Sequence, residues 1–247
     1  LSTREKLTIF PISDLHCGSK QFDREYFEWA LTKFDECTNK KMIILNGDLL
    51  ENADLNVGDS AYNQVLNVNE QMDMIVDLLS PYSEYVYDEM TIGNHELRLK
   101  KSHDFDINKT LADRLGITSV SNILTTLNIN GQPFIIYATH GRNSSSSDHL
   151  ALGKIQRDVA SFDANLYLYG HLHRCASISI PYTSTEGIKR RNYVITGAFL
   201  KYKGSYAEDL GLAHSPPAFV FVKVGAKLDV VPKIFYQDVE RPDLLEI

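Results

Sequence analysis

Apolar residues along the chain fall into short runs of strand length and longer runs at helical spacing. Leu7 to Ile12 is a compact apolar strand, and Phe22 to Asp35 follows as an amphipathic helix. Met42 to Leu45 is a second short apolar run that stops at Asn46-Gly47-Asp48. Ser60 to Leu79 places Ala61, Val65, Leu66, Met72, Ile75 and Leu79 on a helical repeat, ended by Pro81. Glu84 to Ile92 has strand character and leads into Gly93-Asn94-His95. Strands alternating with helices predict an α/β sheet with crossover helices over the first half.

The second half reads differently. Leu124 to Ile129 and Phe134 to Thr139 flank Asn130-Gly131, whose residues suit the positive backbone angles of a two-residue hairpin turn. After a helix over Asp148 to Ala160, strands are expected at Leu166 to Tyr169, Ser177 to Ile180, Tyr193 to Thr196, Phe219 to Val224 and Leu228 to Phe235. No internal repeat or long linker interrupts the chain, so residues 1–247 are expected to form one α/β domain with two sheets facing each other. Ser144 to Ser147, following His140-Gly141-Arg142-Asn143, reads as a surface loop beside a candidate site.

Bulk composition narrows the class. The 247 residues are 43% hydrophobic and 23% charged, as in ordinary globular proteins. No apolar run approaches the roughly 18 residues of a membrane span, and Leu1 to Lys6 contains no apolar signal core. Three cysteines (Cys17, Cys37 and Cys175) argue against a disulfide framework, so a cytoplasmic location is the expectation. The net charge of −7 disfavours a grip on long duplex DNA, which draws its affinity from phosphate neutralisation. It does not disfavour a nucleotide or short single strand, because a metal site brings its own positive charge.

Five segments end an expected strand with a metal-ligating side chain. They are Asp14-Leu15-His16, Gly47-Asp48, Gly93-Asn94-His95-Glu96, His140-Gly141 and Gly170-His171-Leu172-His173. In open sheet folds, functional groups gather beyond the carboxyl ends of the strands, so these turns can converge across some 160 residues. Imidazole and carboxylate ligands without thiolate suit Mn, Fe or Zn in a polar site. Asp14, His16, Asp48, Asn94, His140, His171 and His173 are too many for one tetrahedral ion and suit two ions joined by a carboxylate.

The ordered set Asp-x-His, Gly-Asp, Gly-Asn-His-Glu, His and Gly-His-x-His, from about Ile9 to Arg174, resembles the calcineurin-like metallophosphoesterases in every block. The resemblance implies a four-layer α/β/β/α fold, two packed mixed β-sheets flanked by helices. It implies two divalent cations, with Mn expected and Fe or Zn as alternatives. Asp14, His16 and His173 would hold the first ion, Asn94, His140 and His171 the second, and Asp48 both. His95 would be the histidine that faces the substrate without binding metal. Two such ions can share a water and deliver hydroxide to phosphorus in line, while His95, with Glu96 or another carboxylate orienting its ring, protonates or stabilises the leaving oxygen.

The expected activity is phosphodiester hydrolysis on nucleotides or nucleic acid, since Gly170-His171-Leu172-His173-Arg174 resembles the final block of DNA-repair nucleases in the family. A phosphomonoesterase, protein phosphatases included, and a non-catalytic metal-holding scaffold are the alternatives. Arg98, Arg142 and Arg174 are candidate phosphate contacts because each follows a motif residue closely; Lys100 and Lys101 read as a solvated helix start. The segment from Phe199 to Glu208 interleaves aromatic and basic residues and could stack bases, or pack on a sheet edge. The acidic loop Glu51 to Ser60 is a candidate wall of the site, and Lys189-Arg190-Arg191 reads as a solvated turn. His103, His149 and His214 are expected at the surface, and Cys17 and Cys175 are expected to pack near the metals without binding them.

If Asp48 joins the two ions, Asp48→Asn removes charge from both at once. Metal analysis of the purified variant should then find occupancy well below two ions per chain, and full occupancy would refute the shared role.

Overall fold

The computed structural model describes residues 6–53, 63–142, 147–185, 187–204, 208, 211 and 216–241, apart from the side chains of 101–103 and 148. Eleven strands are present among them: β1 Leu7–Ile12, β2 Lys40–Asn46, β3 Val86–Thr91, β4 Thr118–Val120, β5 Asn122–Ile129, β6 Gln132–Thr139, β7 Leu166–Tyr169, β8 Cys175–Ser184, β9 Gly187–Ala198, β10 Ala218–Val224 and β11 Val230–Tyr236. The helices are α1 Arg24–Asp35, α2 Val68–Leu79, α3 Leu97–His103, α4 Ile107–Leu115, α5 Asp148–Asp158 and α6 Gln237–Glu240.

Period-two alternation sorts the side chains into layers. In β1, Ile9 faces one core while Phe10 and Ile12 face another; in β2, Ile44 and the pair Ile43 and Leu45 divide the same way. In β10, Val220, Val222 and Val224 join Ile9 and Ile44, and Phe219 and Phe221 join Phe10. The second group of strands meets this middle core from the other side, through Phe134, Ile136, Leu166, Leu168 and Val194. Its outer face, with Tyr137, Tyr167, Tyr169, Tyr193 and Ile195, is covered by Ala151 and Ile155 of α5. The outer face of the first group is covered by α1, α2 and α4 through Phe27, Phe34, Ile75, Leu79 and Leu111. Three apolar layers therefore separate four structural ones, and the α/β/β/α expectation holds.

The strand order is β4-β3-β2-β1-β10-β9-β7-β6-β5, with β11 on β10 and β8 on β9. β1, β2, β3 and β4 are parallel to one another, as are β6, β7 and β9, while β10 is antiparallel to both β1 and β9. Among the described residues, strand pairing joins the two groups where Ala198 meets Ala218 and Gly197 meets Phe219. Gly197 is required at this junction: its φ is +91°, and a Cβ there would lie 1.9 Å from the Ala218 carbonyl oxygen. Because β1, β2, β3, β6, β7 and β9 all point the same way, their carboxyl ends open on one face of the sandwich.

The expected hairpin is β5–β6, with Asn130 and Gly131 at φ 55° and 80°, both left-handed as a type I′ turn requires. Two other expectations change, and one left open is decided. The helix expected from Ser60 starts at Val68, because Asn67 and Glu70 form a capping box; Gln64 pairs with Ser19 and Val65 is 57% exposed, while 60–62 lie outside the described residues. Lys189-Arg190-Arg191 is no turn but part of β9, opposite Tyr182, Pro181 and Ile180, since the β8–β9 hairpin runs longer than its apolar pattern. Phe199 is a core residue, stacked on Phe219 and edge-on to Phe27, so the aromatic segment begins in packing; Tyr202 is half-buried, and 205–207 lie outside the described residues.

Phe219 is fully buried among the rings of Phe10, Tyr26, Trp29, Phe199, Phe221 and Phe235. Phe219→Ala should lower the unfolding free energy by about 3–5 kcal/mol, read from urea melts.

Candidate metal centre

The carboxyl ends of the parallel strands continue as a narrow ladder of main-chain bonds. Asp14 N donates to Gly47 O (3.1 Å), His16 N to Asp48 O (3.0 Å) and Cys17 N to Leu49 O (2.9 Å), which sets the turn after β1 beside the turn after β2. Asp14, His16, Asp48, His171 and His173 have φ of 53°, 47°, 49°, 68° and 51°. Non-glycine residues rarely occupy this region, and here it lets consecutive short turns aim alternate side chains into one space. The neighbouring glycines are there for lack of room: a Cβ on Gly93 would lie 2.1 Å from Asp48 N and 2.2 Å from Asp48 Oδ1.

All seven expected ligands converge. Ligand atoms of Asp14, His16 and His173 lie within 4.8 Å of one another, and so do those of Asp48, His140 and His171. Asn94 Oδ1 joins the second group, 3.1 Å from His140 Nε2. His140 Nε2 is also 3.1 Å from Asp48 Oδ2, and His16 Nε2 is 3.9 Å from that same oxygen, so Asp48 stands between the groups. His16 Nε2 and His173 Nε2 face each other at 3.1 Å, with Asp14 Oδ1 3.3 Å from the latter.

Side chains and carbonyls behind the cluster hold its tautomers. His140 Nδ1 donates to Asn46 O (3.0 Å), leaving Nε2 to face inward. Ser13 Oγ donates to Asp14 Oδ2 (2.6 Å), and the main-chain N–H of His171 donates to the same oxygen (2.9 Å). Glu96 is fully buried and accepts from the main-chain N–H of Asp48 (3.1 Å) and Leu50 (3.0 Å). Sequence reasoning had Glu96 or another carboxylate orienting His95; instead His95 Nδ1 donates to the main-chain carbonyl of Glu51 (2.8 Å), because the Glu96 side chain is taken up by the turn after β2. The sequence does not mark Ser13 or Asn46 as site residues, and it marks Glu51 as the start of a candidate wall and not as a partner of the histidines. Only Glu51 had a signal, its place in the acidic segment three positions after Asp48.

Burial and crowding set the charges. Burial favours the neutral acid for Asp48, yet His140, His95 and His16 hold it well below the usual carboxylate range. Asp14 is lowered too, with burial again overcome by His140 and His173. Burial works against a charged His140, but Asp48 and Asp14 lift its pKa to about 10. For His95 burial dominates, seconded by His16, and depresses its pKa to about 3. Glu96 rises to about 7 through burial and the nearby Asp48.

This donor set fits divalent cations. His171 Nδ1 is buried with no hydrogen-bond partner among the described residues, and Asp14 Oδ1 accepts no hydrogen bond there. Facing imidazole nitrogens need a proton or a cation between them, and buried carboxylates need a counter-charge. A metal ion meets both needs and displaces the protons.

The candidate phosphate contacts divide. Arg98 lies at the site: its guanidinium donates to His95 Nε2 (2.8 Å) and to Glu51 O (3.1 Å). Arg142 is exposed, with its main-chain N–H on Tyr169 Oη (3.2 Å), and Arg174 is half-buried directly after His173. Lys100 pairs with Asp106 at 2.6 Å. Cys17 and Cys175 are buried in apolar packing and belong to neither ligand group; burial pushes the Cys17 thiol up to about 12. His149 is exposed, whereas His214, residues 143–146 and most of the acidic loop, 54–60, lie outside the described residues, as do the side chains of Lys101 and His103. Ser147 caps α5 through its hydroxyl.

A family model described as calcineurin-like phosphoesterase matches residues 7–175, about two thirds of the chain. The chain belongs to that family, and it is a metal-dependent phosphoesterase, a hydrolase of phosphate esters. Solved structures similar to it include a conserved uncharacterized protein described as a predicted phosphoesterase from Streptococcus pneumoniae TIGR4 (15% identity, TM-score 0.40, covering 94% of this chain and 98% of that one). Others are a metallophosphoesterase from Sphaerobacter thermophilus (14%, 0.45, 97% and 95%) and a single mutant of Vps29 from Entamoeba histolytica (14%, 0.42, 92% and 99%). No curated protein matches the chain.

Gly93→Ala tests how tightly the turns are pressed together. It should cost about 1–3 kcal/mol of stability through overpacking and lower metal occupancy, read by thermal melts and metal analysis; a variant equal to wild type in both would show that the turn yields freely.

Proposed function

We propose that the protein hydrolyses phosphodiesters, with nucleotides or single-stranded nucleic acid as the substrate class. The observation that carries this reading is the pairing at His95, which belongs to neither of the two expected ligand groups. Its Nδ1 is held by the Glu51 carbonyl and its Nε2 receives Arg98, while Asp48 Oδ2 lies 4.0 Å away. The charged groups around His95 are thus one guanidinium and the carboxylates of Asp48 and Glu51, which suits a diester with one negative charge better than a monoester with nearly two.

The residues expected to hold the two divalent cations are Asp14, His16, Asp48 and His173 for the first, and Asp48, Asn94, His140 and His171 for the second. Bound there, the cations would supply Lewis-acid charge against phosphoryl oxygens and a water of lowered pKa. Mn is the proposed metal because nitrogen and oxygen donors without thiolate accommodate it. Arg98 binds the phosphate oxygens, and His95 Nε2 faces the leaving oxygen. In the substrate-free protein His95 is neutral. A phosphate that draws Arg98 away from Nε2 and adds negative charge nearby raises the proton affinity of that nitrogen, so it can take up a proton from solvent water and pass it to the departing alkoxide.

The reading includes one domain over 1–247, supported by β9 and β10, which lie beyond the family match and pair with β7 and β1. A cytoplasmic location is proposed from the free cysteines Cys17, Cys37 and Cys175. Among the described residues no helix is long and apolar enough to cross a membrane.

With manganese-loaded protein, bis-p-nitrophenyl phosphate and single-stranded oligonucleotides should be cleaved faster than p-nitrophenyl phosphate. Monoester preference would replace this reading with a phosphomonoesterase, and silence on all three with a scaffold. His95→Ala should keep two ions yet lose about 10²–10⁴-fold in kcat on oligonucleotides. The loss should be smaller on the p-nitrophenyl diester, whose leaving group needs no proton. Equal losses on both would remove the acid role.

A further inference from the structure

We infer that Glu51 is a positioning residue that fixes two histidines with two different groups: its carboxylate sets the metal-facing nitrogen of His16, and its main-chain carbonyl sets the substrate-facing nitrogen of His95. The inference deepens the proposed function and rests on it for the roles of those histidines. Glu51 Oε2 lies 3.1 Å from His16 Nδ1 and Glu51 O lies 2.8 Å from His95 Nδ1. A carboxylate and a carbonyl can only accept, so both rings present their proton at Nδ1 and leave Nε2 as the free nitrogen. His16 Nε2 is then aimed at His173 Nε2 (3.1 Å) and at Asp14 Oδ1 (3.9 Å), within the first ligand group. His95 Nε2 is aimed at Arg98 (2.8 Å).

Glu51 is itself held rigidly. Its N–H donates to Cys17 O (2.9 Å), its carbonyl also receives Arg98 (3.1 Å), and its side chain is 8% exposed. Next to it, Asn52 stands at φ 42° and donates from Nδ2 to His95 O (2.7 Å). The turn after β2 therefore clamps the His95 segment from both its ring and its main chain. The two rings also meet edge to face at 4.2 Å between centroids, so a change in one is felt by the other.

Side-chain substitution separates the two functions, because every variant keeps the main-chain carbonyl. Glu51→Ala should weaken the first ion about 10–100-fold, the usual effect of losing a carboxylate behind a ligating imidazole. The second ion should stay within about threefold by the same reasoning, both read by calorimetric titration with Zn2+ into metal-free protein. Glu51→Gln, whose amide oxygen still accepts from Nδ1, should restore most of the first affinity. Equal loss at both ions, or none at either, overturns the assignment. Should the alanine variant not fold, wild-type protein decides the matter by long-range 15N–1H spectra of the zinc form. Protons on Nδ1 of both His16 and His95 are expected, and a proton on Nε2 of either ring overturns that half of the inference. If wild type binds fewer than two ions, the metal reading fails by itself, and the same spectra of the metal-free protein at alkaline pH still report the two tautomers.

Discussion

Asp14 and Asp48 keep their charge while almost wholly buried, and much of the structure answers that constraint. An unpaired buried carboxylate costs several kcal/mol, so each is surrounded by donors. Asp14 Oδ2 takes the Ser13 hydroxyl and the His171 N–H, and Asp48 Oδ1 takes the His95 N–H (2.9 Å). The remaining oxygens face imidazoles and leave room for cations. Ser13 in turn accepts from Thr196 Oγ1 (2.6 Å), and Thr196 Oγ1 also lies 3.2 Å from Tyr169 O, so the counter-charge network reaches from β1 to β9 beside β7. Stability and function draw on the same contacts here.

The architecture makes such a concentration of charge possible by keeping it off the apolar layers. Strand alternation fills three cores with Phe, Ile, Leu, Val and Tyr, and the buried carboxylates Asp14, Asp48, Glu51 and Glu96 collect where the parallel strands stop. The join at Gly197 brings β9 against β10, and so brings the carboxyl ends of both strand groups to a common edge. Five left-handed residues in the turns carry local strain that this packing holds in place.

Around His95 the chemistry is arranged by main chain as much as by side chain. A carbonyl does not titrate and cannot rotate away, so the Glu51 carbonyl is a firmer anchor for the ring than a carboxylate would be. Burial and the neighbouring His16 keep the ring neutral, and Arg98 at Nε2 adds to this while placing a cation where phosphate charge is expected. That combination favours a substrate able to displace the guanidinium, which accords with a phosphate ester approaching the metal pair.

Much of this was legible in the sequence. Leu7–Ile12 and Leu166–Tyr169 were bounded by their apolar runs, the Asn130-Gly131 turn by its backbone preference, and the seven converging residues by motif blocks at strand ends. These are local signals, fixed by side-chain type and neighbours. What tertiary structure decided was nonlocal. The sequence leaves Phe199 open between base stacking and packing, and its ring against Phe219 decides for packing; Lys189 to Arg191 read as a turn by sequence, but β8 extends to pair with them. Glu51 carried little local mark, since its importance lies in standing between His16 and His95, 35 and 44 positions away. Spacing along the chain determined which residues are chemically able to serve; only the folded turns, by bringing particular oxygens within hydrogen-bond reach of particular nitrogens, decided which atom of each histidine is left free.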